Sequence, residues 1–222
     1  MIVVHHLNHS RSQRILWLLE ELGVEYEVVK HFRDPVTNLA PPDITKIHPL
    51  GKLPIIQEGD LTLAESGAII EYILGKYGKG RLVPAARSAE HTRYLYWMHY
   101  AEGSAMPVLL LRVIFDQIET ARVPFLIRPL TRGLARRMKG QFIQPQLDRH
   151  YDYLEAELDN RDWFAGGSEM TAADIQMSFA LEGAAARAGL DQRHPRLMAF
   201  LERIHARPAY HRAIERGGPY QL

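Results

Sequence analysis

His48-Pro49-Leu50-Gly51-Lys52-Leu53-Pro54-Ile55-Ile56-Gln57-Glu58-Gly59-Asp60-Leu61-Thr62-Leu63-Ala64-Glu65-Ser66 carries the most decisive structural signal in the chain. Leu53 and Pro54 lead into a short apolar run, Ile55 to Gln57, that reads as a buried strand. Glu58-Gly59-Asp60 is a turn signal and Leu61-Thr62-Leu63 resumes strand character, so the pair predicts a β-hairpin. Glu65 and Ser66 then precede Ile69, Ile70, Ile73 and Leu74, which recur with helical period. A proline at the first residue of a strand, behind a glycine-containing loop, is a natural place for a cis peptide bond. With Leu53–Pro54 cis, the Leu53 N–H and C=O can face solvent and pair with an extended peptide as an added strand would. The N–H groups of the helix opening at Ser66, with the Ser66 hydroxyl, suit a carboxylate. The stretch therefore predicts a cradle for a small peptide with a free carboxylate.

Ahead of this stretch, Ile2 to Val4 reads as a short buried strand running into His5 and His6, and Asn8 to Ser12 offers several helix N-cap residues. A helix follows, with Ile15, Leu18, Leu19 and Leu22 on one face, and Gly23 closes it. Tyr26 to Lys30 is a second strand, at a separation that suits a right-handed crossover and parallel pairing. Phe32 to Ile47, with Pro35, Pro41 and Pro42, predicts a loop with a helical turn near Asp43 to Ile47. Residues 1–78 thus form one β-α-β, β-β-α unit, and 79–88 have linker composition.

Beyond the linker the strand signals vanish, and 89–222 predict an all-helical domain. Ala89 to Gln117 is one long helical pattern with a kink or break expected at Pro107. Val123 to Gly133 is expected to include a loop, and Leu134 to Asn160 to form a helix bent early by Pro145. Thr171-Ala172-Ala173-Asp174 is a capping-box variant, with Met170 and Ile175 placed as a staple. Pro195 to Ala206 and Pro208 to Arg216 are two short helices with proline at the start.

Composition narrows the function classes. The chain has 222 residues, 46% hydrophobic and 24% charged, with a formal net charge of +1. That balance argues for neither nucleic acid nor a membrane surface. The absence of cysteine removes disulfides, thiolate metal sites and any mechanism in which the protein supplies the thiol. His5 and His6 are adjacent strand residues pointing to opposite faces, so with His9 they predict no metal site. No basic-then-apolar leader and no run near the ~18 apolar residues of a spanning helix is present, and a cytoplasmic protein is expected.

The order and spacing of four features resemble the soluble glutathione transferase family over nearly the whole chain. They are the strand-loop-helix opening with a Ser-x-x-x-Arg pattern (Ser10 to Arg14), the Leu-Pro entering the third strand, the Glu65-Ser66 pair and the Thr171–Asp174 cap. The Asn-His-Ser-Arg opening and the Pro-Leu-Gly-Lys-Leu-Pro loop look closest to a serine-type bacterial and fungal branch. The resemblance implies a thioredoxin-like N-terminal domain that binds glutathione, an all-α C-terminal domain walling an electrophile pocket, and a homodimer. By position, Leu53 and Pro54 would pair with the cysteinyl backbone of glutathione. Glu65 and Ser66 would hold its γ-glutamyl end, and Lys52 would lie near the glycyl carboxylate. The basic or polar pair that plant-type members carry for that carboxylate falls on Leu39 and Ala40 here.

Ser10 falls where serine-type members place the hydroxyl that activates the thiol, with Asn8 the next donor. Bringing a thiol of pKa about 8.5 down by two units requires about 2.7 kcal/mol of preference for the anion. One hydrogen bond to a charged acceptor supplies about 1.5–3 kcal/mol, so no general base is needed. His99, Glu102 and Met106 share a helix face by spacing and are the candidate pocket residues, whereas Tyr94, Tyr96, Trp97 and Tyr100 read as interhelical packing. Arg128, Arg132, Arg136 and Arg137 read as a solvated face or a rim for anionic substrates. The predicted activity is conjugation of the glutathione thiolate to small apolar electrophiles. Reduction of disulfides or peroxides at the same site is an alternative, as is a binding protein that lost turnover.

Overall fold

The computed structural model describes residues 1–218, 220 and 221. Its sheet has the order β2-β1-β3-β4. β1 (Ile2–Leu7) runs parallel to β2 (Tyr26–His31), in register from Ile2 opposite Tyr26 to Leu7 opposite His31. β3 (Ile55–Glu58) lies antiparallel to β1, and β4 (Leu61–Ala64) antiparallel to β3 across the predicted turn. A short 3-10 turn, Pro42–Lys46, stands in the proline-rich loop.

β1 extends three residues beyond the apolar run that predicts it, because its polar residues find partners inside the fold. His5 lies 3.0 Å from His31 and 2.9 Å from Gln57, and His6 Nδ1 lies 2.9 Å from the Ser12 hydroxyl. Satisfied in this way, both imidazoles can be buried at little cost.

α1 (Gln13–Leu22) ends at Gly23, whose φ of 64° puts it in the left-handed region that closes helices. Apolar residues surround the helix, and Ile15, Leu16, Leu18 and Leu19 are all fully buried. It packs against α2 (Ser66–Ile73), α7 (Ala172–Arg187) and α9 (Pro208–Gly217) as well as the sheet. α2 continues through a π turn, Leu74–Gly78.

The helical region begins with α3 (Ala89–Tyr100), which passes through a π turn, Ala101–Ala105, into α4 (Met106–Thr120). Pro107 sits in the first turn of α4. A proline cannot donate to the preceding turn and crowds its carbonyls, so the helix widens just ahead of it. The same device recurs where α5 (Arg128–Met138) joins α6 (Gln144–Glu157) through the π turn Lys139–Ile143, ahead of Pro145. The loop expected within Val123 to Gly133 is present and ends where α5 begins at Arg128. Pro129 lies in the first turn of α5, where its missing N–H breaks no bond.

α7 (Ala172–Arg187), α8 (Pro195–His205) and α9 (Pro208–Gly217) complete the chain. The cap of α7 forms as expected: the Asp174 carboxylate accepts from the Thr171 N–H at 2.8 Å and its hydroxyl at 2.9 Å. It also accepts from the Phe164 N–H at 2.8 Å, which ties the preceding loop to the helix. α9 returns to pack on α1, with Arg207 and Arg212 paired to Glu21 and Glu20. Among the described residues no helix is long and apolar enough to cross a membrane.

Candidate active site

Strand register gathers the predicted residues at one end of the sheet. His5 stands opposite Ile55 in an antiparallel pair, so stepping back to Leu53 comes level with Leu7 and the turn into α1. Ile55 stands opposite Ala64, which brings Glu65 and Ser66 to the same end. The Leu53–Pro54 bond is cis. Glu65 adopts φ 72°, ψ 119°, a conformation that L residues avoid, costing about 1–3 kcal/mol. It presents an exposed carboxylate beside the buried Ser66. Lys52 is exposed on the loop ahead of them.

In the β1–α1 turn, Ser10 is 4% exposed. Its hydroxyl donates to the Leu7 carbonyl at 2.8 Å and lies 2.8 Å from the Ser12 hydroxyl. Ser12 in turn meets His6 Nδ1, making a short buried chain from His6 through Ser12 to Ser10. Burial, then the Lys30, His31 and His9 charges, push His6 down to about 4. The ring is neutral at pH 7, so its Nδ1 can accept the Ser12 proton. Asn8 uses its carbonyl end to accept from the Arg33 N–H at 2.9 Å, and its amide N–H groups make no hydrogen bond among the described residues.

Arg14 joins the halves of the site. It is 1% exposed, and its guanidinium donates to the Ser66 hydroxyl at 3.2 Å, to the Gln176 carbonyl on α7 at 2.6 Å and to Glu102 at 2.5 Å. Arg11 reaches Glu102 as well, at 3.1 Å. Burial raises the Glu102 carboxyl, but the two guanidinium groups outweigh it and hold its pKa below the usual range. Arg14, its charge paired with Glu102, thus ties the first residue of α2 to α7 and to the π turn that follows α3.

A cavity of about 320 Å³ opens beside the turn, between His9 and Arg11 on one side and α4 and α7 on the other. Met106, Leu109, Val113 and Phe179 form its apolar wall. Of the three pocket candidates, Met106 lines it, Glu102 is drawn into the arginine pairs, and His99 is exposed and outside the lining. The π turn between α3 and α4 explains the difference: it shifts the helical phase, so residues spaced for one face are not kept on it. Arg128, Arg132, Arg136 and Arg137 form an exposed face of α5 away from this lining.

Arg11, Arg33, Phe179 and Arg187, all on the cavity wall, are not among the residues expected from the sequence. No local pattern marks them, since they come from separate elements. Arg14 was visible as half of the Ser-x-x-x-Arg motif, but its partners were not.

Residues 1–75 match the model of the glutathione S-transferase N-terminal domain, and 142–208 that of the C-terminal domain. Glutathione S-transferase 3 of Schizosaccharomyces pombe is 36% identical over 97% of this chain and 88% of its own length. The chain belongs to the glutathione S-transferase family. Glutathione S-transferase 1 of Saccharomyces cerevisiae is 31% identical over 95% of the transferase described here and 92% of its own length. Among solved structures, a glutathione S-transferase from Actinobacillus pleuropneumoniae superposes with a TM-score of 0.77 at 30% identity, covering 98% of this transferase and 93% of that chain. The thioredoxin-like sheet and the helical region are thus those of the family, and glutathione is the co-substrate.

Proposed function

We propose that this transferase joins the glutathione thiolate to small electrophiles with apolar bodies, residues 1–78 holding the tripeptide and 89–222 walling the second substrate. The Leu53 backbone pairs with the cysteinyl residue, Glu65 and Ser66 hold the γ-glutamyl end, and Lys52 serves the glycyl carboxylate. The sulfur then lies at the β1–α1 turn, where Ser10 or Asn8 donates to it, as a serine-type site would. The observation that carries this reading is the strand register, which brings the turn, Leu53–Pro54 and the α2 N-terminus to one end of the sheet. The catalytic contribution is a stabilised, positioned anion: sulfur attacks carbon, and the leaving group departs with the bonding pair.

A second reading, reduction of disulfides by glutathione at this site, is favoured by one relative. A disulfide-bond oxidoreductase of Escherichia coli is 26% identical over 96% of this chain. Parallel assays with an aryl halide and a small disulfide decide between them. Conjugation predicts thioether product with the halide and little turnover of the disulfide; the opposite result replaces transfer by reduction. We further infer a cytoplasmic homodimer.

A further inference from the structure

Four guanidinium groups line the cavity and, among the described residues, no carboxylate does. Their compensation is uneven. Arg112 is paired with Asp116 at 2.9 Å. Arg11 and Arg14 share the single carboxylate of Glu102. Among the described residues the Arg33 side chain donates only to neutral carbonyls, Asn38 at 2.9 Å and His9 at 3.3 Å. Arg187, at the end of α7, makes no hydrogen bond or ion pair among the described residues. Burial first, and then the charges of Arg11 and Arg187, pull the Arg33 pKa below the ordinary arginine range, so these three cations crowd one mouth. The whole chain carries only +1, which makes this a local concentration of charge.

An uncharged ligand filling the cavity would strip water from Arg33 and Arg187 and give nothing in return. A carboxylate would replace that water with charge-assisted, bidentate hydrogen bonds, the geometry a guanidinium presents. Phe179 lies against the Arg11 guanidinium, 5.1 Å from ring centroid to carbon, so charge and apolar wall meet at one place.

We propose that the cavity selects electrophiles carrying a carboxylate on an apolar, aromatic-sized body, with Arg33 and Arg187 as the specificity-determining residues. This rests on the transferase reading above and names its second substrate's class. The carboxylate is not consumed; sulfur attacks an electrophilic carbon elsewhere on the same molecule.

The test uses matched pairs. Unreactive p-nitrobenzoate and its methyl ester are titrated calorimetrically into the glutathione-saturated protein, and chloronitrobenzoate and its methyl ester are compared as substrates. The anion is expected to bind at least about tenfold more tightly than the ester at low salt, the gap narrowing as salt screens the charges. Arg187→Gln is expected to lower the anion-to-ester affinity ratio about fivefold or more, and Arg187→Glu to invert it. Equal affinity for anion and ester in the unmodified protein overturns the proposal. So does a ratio unmoved by Arg187→Gln while glutathione binding weakens, because the guanidinium then serves the tripeptide. The two readings fail separately. Tight anion binding without thioether formation removes the transferase assignment and keeps the anion site, and thioether formation with equal KM for acid and ester does the reverse.

Discussion

At Ser10 the hydroxyl proton is directed at the Leu7 carbonyl, 2.8 Å away, so donation to a thiolate requires a rotation about one side-chain bond. The neighbouring Ser12 hydroxyl, 2.8 Å off, can take over part of the lost bonding. If the hydroxyl makes that turn, Ser10→Ala raises the apparent pKa of bound glutathione by about one unit or more, the worth of one hydrogen bond to an anion. Thiolate absorbance against pH measures it. An unshifted profile transfers the role to Asn8, whose amide N–H groups remain available, and Asn8→Ala then shows the displacement. Gly217 illustrates a different residue-scale constraint. A Cβ there would meet the Gln13 side chain at 2.8 Å and Leu16 at 2.9 Å. Gly217→Ala is accordingly expected to destabilise by about 1–3 kcal/mol through overpacking, read as a lower urea midpoint.

At the scale of elements, the start of α7 is held by one carboxylate. Burial pushes Asp174 up to about 6 against the opposition of its hydrogen bonds. Because this folded value lies above the unfolded one, the folded state holds the proton more tightly. The stabilisation from that preference is full below the unfolded pKa and is lost as pH rises through about 6. Asp174→Asn cannot titrate and turns a donor toward Thr171, costing about 1–3 kcal/mol. Denaturation of both proteins at acid and neutral pH should show the wild-type advantage shrinking toward neutrality; a constant difference would refute the raised pKa. The two π turns ahead of Pro107 and Pro145 are the other element-scale feature. Both prolines announce themselves in the sequence, but the change of helical phase they bring is what put Met106 on the cavity wall and left His99 outside it.

Across the whole molecule, the outer surface of α4 carries Ile114 and Ile118, 40% and 39% exposed, near the strongly exposed Phe125 and Leu126. A homodimer burying this stripe predicts a solution mass twice the 25.4 kDa of the chain, and Ile114→Glu should shift it toward monomer in sedimentation at micromolar concentration. A mass of one chain at high concentration would remove the homodimer. The return of α9 onto α1 is also a property of the whole: its arginines pair with Glu20 and Glu21 across about the full length of the chain, and nothing near Pro208 foretells that partner.

Features set by short-range chemistry can be read along the chain. The β-hairpin, the Leu53–Pro54 junction, the Gly23 helix end, the Thr171–Asp174 cap and the proline-marked helix starts each depend on residues a few positions apart. The Ser-x-x-x-Arg opening and the Glu65-Ser66 pair belong to the same class and point to the family. Which groups meet is set by packing in three dimensions. Arg14 joins Ser66, Glu102 and Gln176, up to 162 positions away, and the cavity's charge comes from Arg33 and Arg187 on different elements. Such contacts arise from strand register and helix packing, which turn distant positions into neighbours without leaving a periodic mark along the chain.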